Sequence, residues 1–129
     1  HAATPLLDVP ALAARLDIAR LHIKDERARM GLGSFKALGA AYAIAREAEK
    51  VVQGDQWATA LNGQVYVTAS AGNHGLSVAA GANIFGAKAV IYLAESVPEA
   101  FAARLRSKGA EVVRAGATYE DSMSAAQTE

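Results

Sequence analysis

Three short runs rich in β-branched and aromatic residues, at 64–68, 87–93 and 111–114, alternate with helix-length stretches at 74–85, at 98–108 and from Tyr119 onward. Consecutive parallel strands need a crossover between them, and a helix is the usual one. The pattern therefore predicts an α/β fold, a parallel sheet with flanking helices. Gly86 and Gly109 stand where the first two helices should stop, and Pro98 where the second should begin.

The residues ahead of this region read differently. Residues 4–7 form a short extended piece, and 9–16 a helix that Asp8 could cap, with Pro10 in its first turn. Residues 20–25 alternate polar and apolar side chains, which predicts a strand with Leu21 and Ile23 on a buried face. Asp25, Glu26 and Arg27 close that strand, and the loop to Gly33 carries Arg27, Arg29 and two glycines. A helix is predicted to start near Ser34, with Phe35, Leu38, Tyr42 and Ala45 on one side and Arg46, Glu47, Glu49 and Lys50 towards water. A composition shift at 53–63 is the candidate seam, which divides the chain into 1–55 and 56–129.

Two stretches carry chemistry. Lys36 follows a serine able to cap a helix and precedes the small and apolar run 37–42. In the first turn of a helix its charge would oppose the positive end of the dipole, and burial would disfavour it further. Both effects favour the neutral amine that a Schiff-base lysine needs. The plain alternative is a solvated lysine. The second stretch is Ser70-Ala71-Gly72-Asn73-His74-Gly75, where a strand gives way to a helix. Ligands of open parallel sheets bind beyond the carboxyl ends of the strands, and a helix start offers free N–H groups to a carboxylate or phosphate. A tight turn with a serine cap is the alternative there. Taken alone, His74 reads as a packed or capping side chain ahead of a ligand or base, and the three histidines show no metal-binding spacing.

Bulk properties narrow the classes. The 129 residues are 52% hydrophobic, enough for a folded core. Thirteen basic residues balance thirteen acidic ones, so no net field draws the chain to nucleic acid or an anionic membrane. Without cysteine there are no disulfides, thiolate metal sites or cysteine nucleophiles, which is compatible with a cytoplasmic location. The most apolar region, 78–94, is broken by Asn83, Gly86 and Lys88, and neither a leader nor a membrane span is expected. A chain that starts at His1 and stops at Glu129 within a helical pattern is expected to be a piece of a longer protein.

Ser34-Phe35-Lys36, followed at 68–75 by Thr-Ala-Ser-Ala-Gly-Asn-His-Gly, resembles the two signature stretches of the pyridoxal-phosphate enzymes of the tryptophan-synthase-β fold type, or fold type II. The resemblance extends from Thr4 to the end and implies the N-terminal portion of a two-lobed enzyme. Residues 1–55 would belong to the lysine-bearing lobe, and 56–129 to a Rossmann-like α/β lobe. It further implies that Lys36 forms the internal aldimine with pyridoxal 5'-phosphate, that Asn73 bonds the cofactor's phenolic oxygen, and that Ser70, Ala71, Gly72, Asn73 and His74 grip the substrate carboxylate. A homodimer is implied as well.

Within that group, residues 24–26, 31–32, 35–36 and 38–43 look most like 2,3-diaminopropionate ammonia-lyase, while serine/threonine dehydratases usually carry arginine where Leu38 stands. One departure is Ala71, where the lyase has aspartate; Ser-Ala-Gly-Asn-His is the dehydratase-like version. The implied reaction is β-elimination from a small amino acid to pyruvate and ammonia, with Lys36 removing the α-proton. No residue of this chain is assigned as the acid for the leaving group. The family's phosphate loop and pyridine-nitrogen partner lie downstream of the second stretch, and no Gly-x-Gly-x-x-Gly or Walker-type sequence replaces them. The isolated residues are therefore expected to be inactive and to leave sheet edges unpaired. A non-catalytic α/β module that binds a small anion is the reading from a different class, and a structural piece without a ligand is a third.

Overall fold

The computed structural model describes residues 3–128. The chain divides into two compact units, His1–Phe35 and Lys36–Glu129.

In the first unit, strand β1 (Leu6–Asp8) pairs antiparallel with β2 (His22–Lys24), Leu7 lying opposite Ile23. Helix α1 (Pro10–Arg15) connects them, with proline in its first turn as predicted. Its N-cap is Val9 rather than Asp8, which stands 3.9 Å from His22 Nε2. The buried face predicted for 20–25 is absent, because every residue of β2 is exposed. A ribbon of two three-residue strands supplies no second layer for Ile23 to pack into. Beyond β2, Arg29 forms an ion pair with Glu26, and the Thr4 hydroxyl donates to the same carboxylate.

The second unit is the predicted α/β fold. Strands β3 (Val65–Ala69), β4 (Lys88–Leu93) and β5 (Glu111–Arg114) form a parallel sheet in the order β3-β4-β5. Helices α2 (Ala40–Val51), α3 (Asn73–Ile84), α4 (Glu99–Arg106) and α5 (Tyr119–Gln127) surround it. The central strand β4 is buried from Ala89 to Leu93, and its alternate residues serve two cores. Ile91 and Leu93 pack with Leu76, Ala79 and Leu105, whereas Val90 and Tyr92 join Ala69 on the side of Ala125 and Ala126. Both β3 and β5 have an unpaired edge among the described residues. No helix among those residues is long and apolar enough to cross a membrane.

The start of α2 departs from the prediction. Phe35–Leu38 forms a 3-10 turn, and the α-helix begins only after Gly39, so Ser34 is not its cap. Nor is the expected side inward: Leu38 and Tyr42 are 54% and 59% exposed, while Ala37, Ala41, Ile44 and Ala48 are buried. The small residues won because α2 lies close against α3, where a Cβ on Gly81 would stand 2.9 Å from Ala41 Cα. A large side chain on that face would hold the helices apart. The undecided stretch around Trp57 is a 3-10 turn, Trp57–Thr59, whose indole ring lies 6.3 Å from that of Phe85. Gly86 ends α3 as predicted, with φ +79° and Ala58 O only 2.6 Å from where a Cβ would stand.

Replacing Gly81 with valine should therefore destabilise the second unit by about 1–3 kcal/mol in urea denaturation. Unchanged stability would show that the α2–α3 contact is not tight.

Candidate functional site

Helix α3 carries the site. Its residues are small, and Gly75 to Ala79, Gly81 and Ala82 are all buried, which lets α3 lie between the sheet and α2. Asn73, Ser77 and Gly81 recur every fourth residue and so share one face. The backbone of the lysine turn and α2 runs along that face. Ser77 Oγ meets Lys36 O at 2.9 Å and Ala41 N at 3.0 Å, and Gly81 meets Ala41 and Ile44. The partners advance from Lys36 to Ile44 as α3 advances from Ser77 to Gly81. The two segments thus run in the same direction, and the lysine turn lies at the same end of the pair as the N-terminus of α3.

Lys36 itself is exposed and sits in the 3-10 turn before α2. The first-turn, buried position that the sequence argument assumed is not the one it holds. What fixes it is backbone geometry: Lys36 O accepts from Gly39 N–H at 3.0 Å as well as from the Ser77 hydroxyl.

The loop after β3 is organised by Ser70. Its N–H donates to Tyr92 O at 3.2 Å, extending the β3–β4 ladder, and its buried hydroxyl oxygen accepts from Gly72 N–H at 3.3 Å and Gly75 N–H at 3.0 Å. The N-cap of α3 is Gly72, which has no side chain to offer, so Ser70 performs that work from two residues earlier. Gly75 has to be small, because a Cβ there would stand 3.0 Å from Ser70 O. With Gly72 and Gly75 bonded to Ser70, the N–H groups of Asn73 and His74 have no acceptor among the described residues. Ala71, Asn73 and His74 are exposed and Gly72 is half-buried, so these groups open outward while Ser70 faces inward.

The donor set is a primary amine, a carboxamide, an imidazole and open helix-terminal N–H groups. It suits a ligand with an aldehyde or an amine-bearing carbon beside an anionic group. Among the described residues there is no cluster of three or more His, Cys, Asp or Glu that could hold a metal ion. Beside the loop, a hollow of about 330 Å³ is lined by Ala40, Ile44, Glu47, Tyr66, Thr68 and His74. The Tyr66 hydroxyl donates to Glu47 there. Burial, and then the bond to the Glu47 carboxylate and its charge, push the phenol up to about 12.

Sequence reasoning named Lys36 and residues 70–74 but missed Ser77. The available signal was a lone hydroxyl inside a helix of small apolar residues, where a buried Ser needs a hydrogen-bond partner.

The family described as "Pyridoxal-phosphate dependent enzyme" matches residues 1–129. The chain belongs to that family. It is similar to the diaminopropionate ammonia-lyase of Salmonella typhimurium, 36% identical over 135 aligned residues that cover 95% of this chain and 33% of the relative. A shorter match, 38% identical over 60 residues, covers 46% of the chain and 15% of the L-threonine ammonia-lyase of Geobacter sulfurreducens. The crystal structure of holo diaminopropionate ammonia lyase from Escherichia coli superposes with a TM-score of 0.87 at 30% identity, over 99% of this chain and 35% of that one. The fold is thus that of the N-terminal α/β portion expected from fold type II. The chain spans about a third of the length of the curated lyases it matches.

Neutral Tyr66 is favoured in the folded state, so its contribution to stability is complete below the ordinary phenol value of 10.0 and is lost as pH rises through about 12. Ultraviolet titration should show a tyrosine component ionising near 12, and Glu47→Gln should bring it down. A titration with no component near 12 would contradict this environment.

Proposed function

We propose that the protein is a pyridoxal-phosphate-dependent ammonia-lyase that acts by β-elimination on a small amino acid, with 2,3-diaminopropionate as substrate and pyruvate and ammonia as products. The observation that carries this reading is the Ser77 link of 2.9 Å to Lys36 O, which puts an amine-bearing turn at the open end of α3. Similarity to diaminopropionate ammonia-lyase along nearly the whole chain supports the substrate. On the family resemblance the protein is a cytoplasmic homodimer.

When bound, pyridoxal phosphate supplies an electron sink for bonds at the substrate α-carbon. Lys36 Nζ would be the amine that carries the cofactor, and the Asn73 carboxamide would hold its phenolic oxygen. Ser70 shapes the loop, and Ala71, Gly72, Asn73 and His74 receive the substrate carboxylate through the open N–H groups of Asn73 and His74. With the carboxylate held there and the substrate's own amine having replaced Lys36 on the cofactor, the freed Lys36 amine would take the α-proton. The glycine at 72 lets the carboxylate approach the backbone closely, since no atom lies within 4 Å of its Cβ position.

A serine/threonine dehydratase-like enzyme is the second reading. It is favoured by the exposed methyl group of Ala71 in the loop and by the match to L-threonine ammonia-lyase. Pyruvate release from 2,3-diaminopropionate, compared with keto-acid release from serine and threonine, distinguishes the two. The full-length protein should prefer the diamino acid, and a preference for the hydroxy amino acids selects the second reading.

Lys36→Ala in the full-length protein should remove the visible absorbance gained on adding pyridoxal phosphate and lower turnover by about 10³-fold. A variant that keeps the absorbance contradicts the assignment of Lys36.

A further inference from the structure

Helix α2 has no cap of its own. It opens at Gly39, which lacks a side chain, and its second residue, Ala41, donates its N–H to Ser77 Oγ of α3 at 3.0 Å. That hydroxyl has one hydrogen to give, and gives it to Lys36 O at 2.9 Å. Lys36 O also accepts from Gly39 N–H, so both of its lone pairs are engaged. Ser77 is 0% exposed, and water cannot take its place. One side chain therefore caps α2 and at the same time fixes the backbone from which the Lys36 amine projects.

We propose that Ser77 is a positioning residue for Lys36. This rests on the reading of Lys36 as the cofactor-bearing amine. A lysine has four flexible carbons, and the origin of its reach is set only by its backbone. The 3-10 turn has its own bond from Gly39, but that bond shapes the turn without fixing it to α3. The Ser77 hydroxyl ties Lys36 O to the helix whose first residues form the anion-receiving end, so amine and loop keep a constant separation. Without the hydroxyl, Ala41 N–H and one lone pair of Lys36 O would be left unpaired in an enclosed place, and the turn would move to find other partners.

The experiment separates positioning from capping. A Cβ on Gly39, whose backbone stands at φ −99° and ψ −92°, would meet only Lys36 O at 3.5 Å, so there is room for a serine side chain at this position. Gly39→Ser in a Ser77→Ala background offers α2 a local cap but does not rebuild the bond from α3 to Lys36 O. Wild type, Ser77→Ala, the double variant and Ala79→Gly, a destabilising change at another buried position of α3, are compared as full-length proteins. Visible absorbance reads pyridoxal phosphate binding, and melting temperature reads stability.

Ser77→Ala should weaken cofactor binding about tenfold and shift the pH at which the absorbance is half-developed. It should lower kcat while leaving KM for the amino acid nearly unchanged. The double variant should recover melting temperature but not cofactor affinity, and Ala79→Gly should lose melting temperature while keeping affinity. If Ser77→Ala binds the cofactor like wild type, or if the double variant regains both properties, Ser77 only caps α2 and the inference is overturned. If Ser77→Ala does not accumulate as folded protein, the double variant decides alone by the same two readouts. Wild-type protein that gains no absorbance with pyridoxal phosphate overturns the Lys36 reading itself, a result distinct from loss in the Ser77 variants only.

Discussion

A single enclosed hydroxyl joins the segments that carry the second unit's candidate site. Ser77 Oγ accepts from the first turn of α2 and donates to Lys36 O, so the lysine turn, the start of α2 and the middle of α3 meet at one oxygen. Bonds of this kind contribute modestly when made, but leaving their partners unpaired in a dry interior costs about 1–3 kcal/mol each. That asymmetry makes the junction specific. Other placements of the turn would leave Ala41 N–H or the Ser77 hydroxyl without a partner.

The junction requires close helices, and the sequence provides them. Gly81 lies one turn beyond Ser77, where Ala41 and Ile44 come close enough to exclude any side chain. On its other flank α3 rests on β4, through Leu76 and Ala79 against Ile91 and Leu93. Because β3 feeds α3 through a loop whose first residue, Ser70, still bonds to β4, the N-terminus of α3 is fixed to the sheet. The same core that stabilises the unit thus sets where Asn73 and His74 present their N–H groups.

Much of this was readable in advance, for identifiable reasons. The strands and helices from Val65 onward carry alternation, β-branching and glycine stops within each segment, and the observed elements match to within a residue or two. The two candidate stretches stood out because their residue types are unusual at those positions, and the hydrogen bond from Ser77 brings the lysine turn to the helix that the second stretch begins. The start of α2 was misplaced because Ser34 is a good local cap, whereas the real cap comes from 36 residues further along the chain. Its buried side was misread because Leu38 and Tyr42 are more apolar than Ala37 and Ala41, yet only the small side chains fit against Gly81. The strand at β2 was recognised while its burial was not, since alternation shows which side chains share a face but not whether another layer covers that face. Ser77 was missed for the same reason as the start of α2: its role exists only between helices.

Family membership connects these particulars to pyridoxal-phosphate enzymes, and the function proposed here rests on one amine. Full-length protein loaded with pyridoxal phosphate, treated with borohydride and digested, can be mapped by mass spectrometry for the residue that retains the cofactor. The mass of the reduced cofactor should be found on the peptide that contains Lys36. Its appearance instead on Lys24, Lys50, Lys88 or Lys108, or on no lysine, would contradict the role given to Lys36 and to the Ser77 junction that holds it.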